Sequence, residues 1–364
     1  MAWIGLRDQR GGWFRPTESK AQGIGACVER APRSHFIKRG SLVVETRISA
    51  ERRPQILFSF TRSWPRAGKF TIQAVPYGGI VFVDSYGDDF RHGTLPIDAN
   101  GRIDLVRLTY SWNTDAGCAT LTLEQPETDD STTVTFEDPV AILADDLRQI
   151  FTQASKCDID EEVSFAALSG TIEPVGPMPA LTAHVPLLTD TGEVHACQIK
   201  RGDRVVTDEG QLVPVLQVVK RTVPARGSFR PIRLRAPYFN LSRDIVVAPQ
   251  QRLVMRGSQV EYMFGKEAVL VPARHLVNDR AAFWANGPDT VTYHHLVLPG
   301  HETILASGCP LESLYLGRLR RKPETLLASV LSKFDRSRLP EHPNPIWPVL
   351  KPYEAVTLAS MRAA

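Results

Sequence analysis

Leu105–Trp112 reads LVRLTYSW, Asn113–Gly117 reads NTDAG and Cys118–Glu124 reads CATLTLE. Apolar and polar residues alternate on both sides of a short run of turn formers. That is the pattern of a β-hairpin whose strands each bury one face. Segments of the same kind flank it: Ser41–Ile48 (SLVVETRI), Ile56–Ser63, Phe70–Pro76 and Gly79–Ser85 before it, Thr132–Phe136 and Phe165–Ile172 after it. Each is rich in β-branched or aromatic residues and bounded by Gly, Pro, Asp or Ser. One interruption has helical spacing, Val140–Gln153, where Ile142, Leu143, Leu147, Ile150 and Phe151 share a face. Short, regularly spaced strands predict an antiparallel β-sandwich over residues 1–172.

A joint follows at residues 173–179 (EPVGPMP), where three prolines favour extended backbone. From Ala180 to Gly317 the chain is again strand-rich, with Val213–Lys220, Ile232–Arg235, Ile245–Val247, Leu253–Met255, Val269–Val271, Val291–Leu296 and Thr303–Ala306 among the segments and almost no helical pattern. Beyond Arg318 the character changes. Pro323–Phe334 places Leu326, Leu327, Val330 and Leu331 at helical spacing, and a proline-rich strap, Leu339–Pro352, leads to a short final helix. The fold class expected is all-β: an N-terminal sandwich, a second β domain over 180–317, and a helical and proline-rich tail over 318–364.

Composition narrows the function classes. The chain has 364 residues, 43% hydrophobic and 23% charged, with a formal charge of +3. Interleaved charges imply no field-driven nucleic-acid partner. Residues 318–322 (RLRRK) are the one concentrated basic run, read as a solvated surface. No apolar run approaches the roughly 18 residues of a membrane span. The stretch MAWIGLRDQRGGWF lacks the apolar core of a Sec signal, so the expectation is a cytoplasmic location over leaderless secretion. The cysteines (27, 118, 157, 197 and 309) form no CxxC pair, which argues against a disulfide framework or a zinc knuckle.

Four blocks in the second half together resemble the Hint fold of hedgehog autoprocessing domains and inteins, closest to its bacterial stand-alone form. Leu188–Val206 (LTDTGEVHACQIKRGDRVV) is similar to the opening hairpin with its Gly-Asp turn. Asp244–Val254 (DIVVAPQQRLV) is similar to the second block, which in the family reads D-x-x-V-[ST]-P-x-H-R-[LV]. Ala268–Asn278 (AVLVPARHLVN) and Val291–Ser313 (VTYHHLVLPGHETILASGCPLES) resemble the third and fourth. The first half resembles, by pattern alone, the concanavalin A/laminin G-like sandwiches.

The Hint resemblance implies self-cleavage without metal or cofactor. A Cys or Ser at the first residue attacks the carbonyl before it, converting an amide into a thioester or ester. A Thr or Ser, with a His three positions on, holds the scissile peptide and protonates the departing amine. Carried onto this sequence, the nucleophile position is Ala180, the hydroxyl position Ala248 and the acid position Gln251. All three are changed. His295 and His301 match family histidines. Loss of a nucleophile alone costs on the order of 10⁶ in rate, and loss of one oxyanion-type donor about 10²–10³. The resemblance therefore implies Hint architecture without Hint chemistry.

Other residues invite functional readings. Thr182, two residues past Ala180, is a displaced hydroxyl. His195 and Cys197 share a sheet face if the segment is extended, with Cys197 read as buried and structural. His294 and His295 point to opposite faces of a strand, which spoils a shared metal site, and with His275 they read as packing residues. Asp84, Asp88 and Asp89 are calcium candidates, against an acidic solvated turn. Arg201-Gly202-Asp203 belongs to the hairpin turn. Trp64, Tyr77, Tyr86 and Trp112 offer stacking faces for a sugar. Three functions follow from these residues: a degenerate Hint protein that binds a protein or glycan, cis autoprocessing at Pro179–Ala180, or a carbohydrate-binding sandwich.

Overall fold

The computed structural model describes residues 2–15, 35–49, 53–97, 105–128 and 130–363, and Cys27 and Asp104 lie outside them. The chain divides into two units, residues 1–174 and 175–364, with the division inside the joint.

In the first unit a seven-stranded antiparallel sheet runs in the order Asp130–Glu137, Cys118–Gln125, Leu105–Asn113, Arg39–Arg47, Val163–Ser169, Trp3–Asp8, Gly11–Phe14. A four-stranded meander, Gln55–Arg62, Gly68–Val75, Gly79–Tyr86 and Asp89–Leu95, packs over it. The expected hairpin is present with Tyr110 opposite Leu121 and Trp112 opposite Ala119. Inward-facing rings form the seam: Phe70 and Phe82 lie 5.2 and 5.0 Å from Tyr110, ring centre to ring centre. Phe, Leu, Ile and Val side chains from both sheets make one continuous core.

The helix expected over 140–153 is shorter, Ala144–Thr152. Ile142 and Leu143 pair instead with Ile37 and Phe36 as a two-residue strand. Leu143 is extended, and Asp145 and Asp146 sit in the first turn, where the helix dipole favours negative charge. The sequence reading passed over the hairpin Trp3–Asp8/Gly11–Phe14. Its second strand requires glycine: a Cβ on Gly12 would lie 2.1 Å from the Phe151 carbonyl oxygen.

The second unit holds a six-stranded sheet, in the order Gln217–Pro224, Thr290–Val297, Leu181–Thr182, Ile245–Val247, Ile232–Leu234, Ala282–Trp284. A longer sheet contains Arg204–Val206, Pro186–Thr189, Thr303–Ala306, Cys309–Glu312, Arg252–Arg256 and Ala268–Pro272. The Gly-Asp turn is a structural device. Gly202 has φ +94°, and the Asp203 carboxylate accepts from the Lys200 N–H at 2.8 Å. A short helix, Ser258–Phe264, interrupts what the sequence read as strands only.

The helix expected over 323–334 stops at Leu327. Ser329 ends it: its hydroxyl donates to the Leu326 carbonyl at 2.8 Å and accepts from the Leu331 N–H at 3.1 Å, which competes with helical bonding. The proline-rich strap runs beside Ala268–Pro272, with Leu270 N–H donating to Pro348 O at 2.8 Å and Leu350 N–H to Leu270 O at 3.0 Å. This covers a sheet edge that would otherwise be open to pairing. Helix Pro352–Ala363 follows, placing Ala355 and Leu358 in the core of this unit.

Candidate functional site

The strand Leu181–Thr182 is inserted between two others, with Leu181 opposite Val247 on one side and His294 on the other. This insertion buries the peptide bond that precedes it. Ala180 is 1% exposed and Ala248 fully buried, and the Ala248 N–H donates to the Ala180 carbonyl at 2.7 Å. Gln250 Nε2 donates to the Pro179 carbonyl at 3.4 Å. The Pro179–Ala180 peptide is thus held at its own carbonyl by Gln250 and the next peptide at its carbonyl by Ala248, with the methyl groups of Ala180 and Ala248 buried beside them.

Gln251 is also buried. Its Nε2 donates to the carbonyls of Arg252 and Glu312 at 3.1 and 3.2 Å, and its Oε1 is buried with no hydrogen-bond partner among the described residues. His295 Nε2 lies 3.1 Å from the same Glu312 carbonyl. A carbonyl only accepts, so His295 carries its proton on Nε2 and leaves Nδ1 a bare, buried acceptor. The Glu312 carboxylate sits 3.3 Å from Arg252 and 3.3 Å from His301 Nε2. His301 Nδ1 accepts from the Ile346 N–H at 3.0 Å, which tethers the strap. His342 does the same from the strap side, accepting at Nδ1 from the Leu316 N–H at 3.3 Å.

The sequence reading named Ala180, Ala248, Gln251, His295 and His301. It missed Gln250, Arg252, Glu312 and His342, which carry no spacing signal and are brought in by strand pairing and the strap. Burial pulls His295 and His342 down to about 4, His342 also through the neighbouring His301. Both stay neutral in the fold, as the acceptor role of His342 Nδ1 requires. An unfolded histidine takes its proton near pH 6.5, so below that pH the unfolded chain binds more protons than the folded one. Stability is therefore full above about pH 6.5 and falls as pH drops toward 4. Urea unfolding of the second unit followed against pH is expected to show a slope of at least two protons in that window, about 2.7 kcal/mol per pH unit from these two, with His275 and His294, also lowered by burial, adding to it. A flat profile there would remove the two histidines from this role.

The remaining candidates separate. Thr182 Oγ1 donates to the Val246 carbonyl at 2.7 Å, tied to the neighbouring strand. Cys197 is exposed rather than buried, because the strand ends at His195 and Cys197 lies in the following turn, so the two do not share a sheet face. His195 instead meets His184 edge-on, ring centres 5.5 Å apart. His275 accepts at Nε2 from Arg274 Nε at 3.2 Å and is held down to about 4 by burial and that guanidinium.

Asp84 is not part of a solvated turn. It is 1% exposed and pairs with Arg62 at 2.5 Å inside the sandwich, and burial pushes its carboxyl up against the pull of Arg62 and Arg91. Asp89 instead faces Arg66 at 3.6 Å on the surface. Among the described residues no three His, Cys, Asp or Glu side chains are grouped as a metal site. The four aromatic candidates do not form one platform either. Trp112 is fully buried, and Tyr77 lies on the turn at the opposite end of the meander from Trp64 and Tyr86.

The second unit is a two-sheet β fold whose first strand, Leu181–Thr182, is paired on both edges. Residues 179–318 match the Hint domain family model, and the chain carries a Hint domain over that span. Among solved structures, the chain is similar to the MchDnaB-1 intein (14% identity, 36% of this chain, 98% of that one, TM-score 0.26). It is also similar to the CBM40 of the Ruminococcus gnavus IT-sialidase (13% identity, 37% of this chain, 77% of that one, TM-score 0.26). A third is the LG1-3 region of the laminin alpha2 chain (10% identity, 63% of this chain, 36% of that one, TM-score 0.25). No curated protein matches the chain. Among the described residues no helix is long and apolar enough to cross a membrane.

Proposed function

We propose that this is a degenerate Hint-domain protein that keeps the architecture of self-cleavage without its chemistry, and that it acts as a binding or scaffold module. The observation that supports this is the pair of buried methyl groups, Ala180 and Ala248, at either end of the 2.7 Å hydrogen bond that holds the would-be scissile residue. A methyl group has no lone pair with which to attack the Pro179 carbonyl, and Gln251 has no titratable proton for a leaving amine.

A residual cleavage through Thr182 is disfavoured by its hydroxyl's commitment to the Val246 carbonyl, since misplacement of about 1 Å already costs about 10²-fold. The test is whether the full-length chain keeps its mass on standing with a thiol or hydroxylamine. One unchanged mass is expected, and fragments meeting at 179/180 would reject the reading.

A further inference from the structure

The basic run at residues 318–322 belongs to a built groove. Leu319–Arg321 and Arg336–Arg338 each form a single turn of 3-10 helix, and Arg336 Nε donates to the Arg320 carbonyl at 2.9 Å, tying the two turns together. Behind them Leu319, Leu326, Leu331 and Leu339 pack into a small apolar cluster that fixes the turns. The open groove between them has a volume of about 850 Å³ and is lined by Arg320, Arg321, Asp335, Arg336, Ser337 and Glu341. Between Arg318 and Glu341 there are seven Lys and Arg against three Asp and Glu, a net +4 where the whole chain has +3.

We propose that this groove docks an acidic peptide segment of another protein. Its own carboxylates display the recognition chemistry: Arg321 forks onto Glu341 with contacts of 2.8 and 3.1 Å. The Arg320 guanidinium and the terminal amino groups of Arg336 make no hydrogen bond among the described residues, Arg320 feeling only the charge of the Glu341 carboxylate that Arg321 already holds, and they are the open forks. Guanidinium matches carboxylate in this two-bond geometry, and the tie between the turns pre-orients it. A groove of this size takes several residues of chain rather than a single ion. Asp335 and Glu341 on its walls oppose the unbroken phosphate line of a nucleic acid, whereas a peptide places carboxylates only opposite the open forks. The groove lies outside the Pro179–Ala180 site, so the inference stands or falls separately from the loss of cleavage.

The experiment is fluorescence anisotropy of a short labelled Glu/Gly peptide titrated with the full chain at physiological ionic strength. Saturable binding is expected, weakened roughly tenfold by Arg320→Ala/Arg336→Ala, as two exposed charge pairs would give. A control that removes equal charge elsewhere, Lys156→Ala/Lys200→Ala, is expected to leave it unchanged. Both pairs are exposed, and thermal melts check that both variants are folded. No saturable binding, or equal loss in both variants, overturns the proposal. A duplex DNA fragment that binds more tightly than the peptide at the same salt overturns the choice of partner.

Discussion

A chain carrying Ala180→Cys, Ala248→Thr and Gln251→His together is expected to split between Pro179 and Ala180, where the parent chain is expected to stay whole. The backbone is already arranged for it. The Pro179 and Ala180 carbonyls accept from Gln250 Nε2 and the Ala248 N–H, and the strand after them is fixed by pairing on both edges. In the variant the introduced thiolate attacks the Pro179 carbonyl carbon. The C–N bond breaks, the amine of residue 180 takes the proton, and the resulting thioester passes to added dithiothreitol or hydroxylamine.

The three changes are not equal. Restoring the nucleophile accounts for a factor on the order of 10⁶, and the donor groups for about 10²–10³ each. Ala180→Cys alone is therefore expected to cleave slowly, and the other two changes without it not at all. Ala248 is fully buried, so its enlargement costs about 1–3 kcal/mol of stability, and melting temperature has to be followed beside cleavage. A folded triple variant that stays whole would mean that the site has lost more than side chains.

The second large effect lies in the sandwich. Asp84→Ala is expected to destabilise the first unit by about 3–5 kcal/mol, because it leaves Arg62 charged, buried and unpaired. The Arg62 side chain is 3% exposed and lies over the rings of Phe60, Phe70 and Tyr86, and without Asp84 it keeps the neutral Ser85 carbonyl, at 3.4 Å, in place of a carboxylate. The double change Arg62→Met/Asp84→Leu removes both charges at similar volume and is expected to recover most of the loss. Urea unfolding followed by tryptophan fluorescence reads this, with Trp112 buried in the same core. A single variant within about 1 kcal/mol of the parent would mean that water or another side chain takes over the partner's role.

Much of this was legible in the sequence, for reasons of period. Alternation placed the hairpin Leu105–Asn113/Cys118–Gln125 and the meander. Block order marked the Hint span. What escaped depends on contacts between residues distant in the chain. Alternation in SLVVET sets Ser41, Val43 and Glu45 opposite Leu42 and Val44, which reads as one wet face, yet both faces of that strand are buried. Asp84 looks like a turn carboxylate until Arg62 is brought across the meander to meet it. The polar surroundings of Gln251 are assembled from Glu312, His295 and a strap residue's N–H on His301, three places that no local pattern connects. Ser329 ends a helix that apolar spacing alone would have continued.

The central claim is that the acyl-shift chemistry ended with the methyl group of Ala180. Its most direct test is the intact mass of the purified full-length chain, followed over days with and without dithiothreitol or hydroxylamine, beside the triple variant under the same conditions. A single constant mass for the parent and two fragments meeting at residues 179/180 for the variant is the expected result. Fragments from the parent chain would contradict the claim and show that another nucleophile has taken the place of the one missing at Ala180.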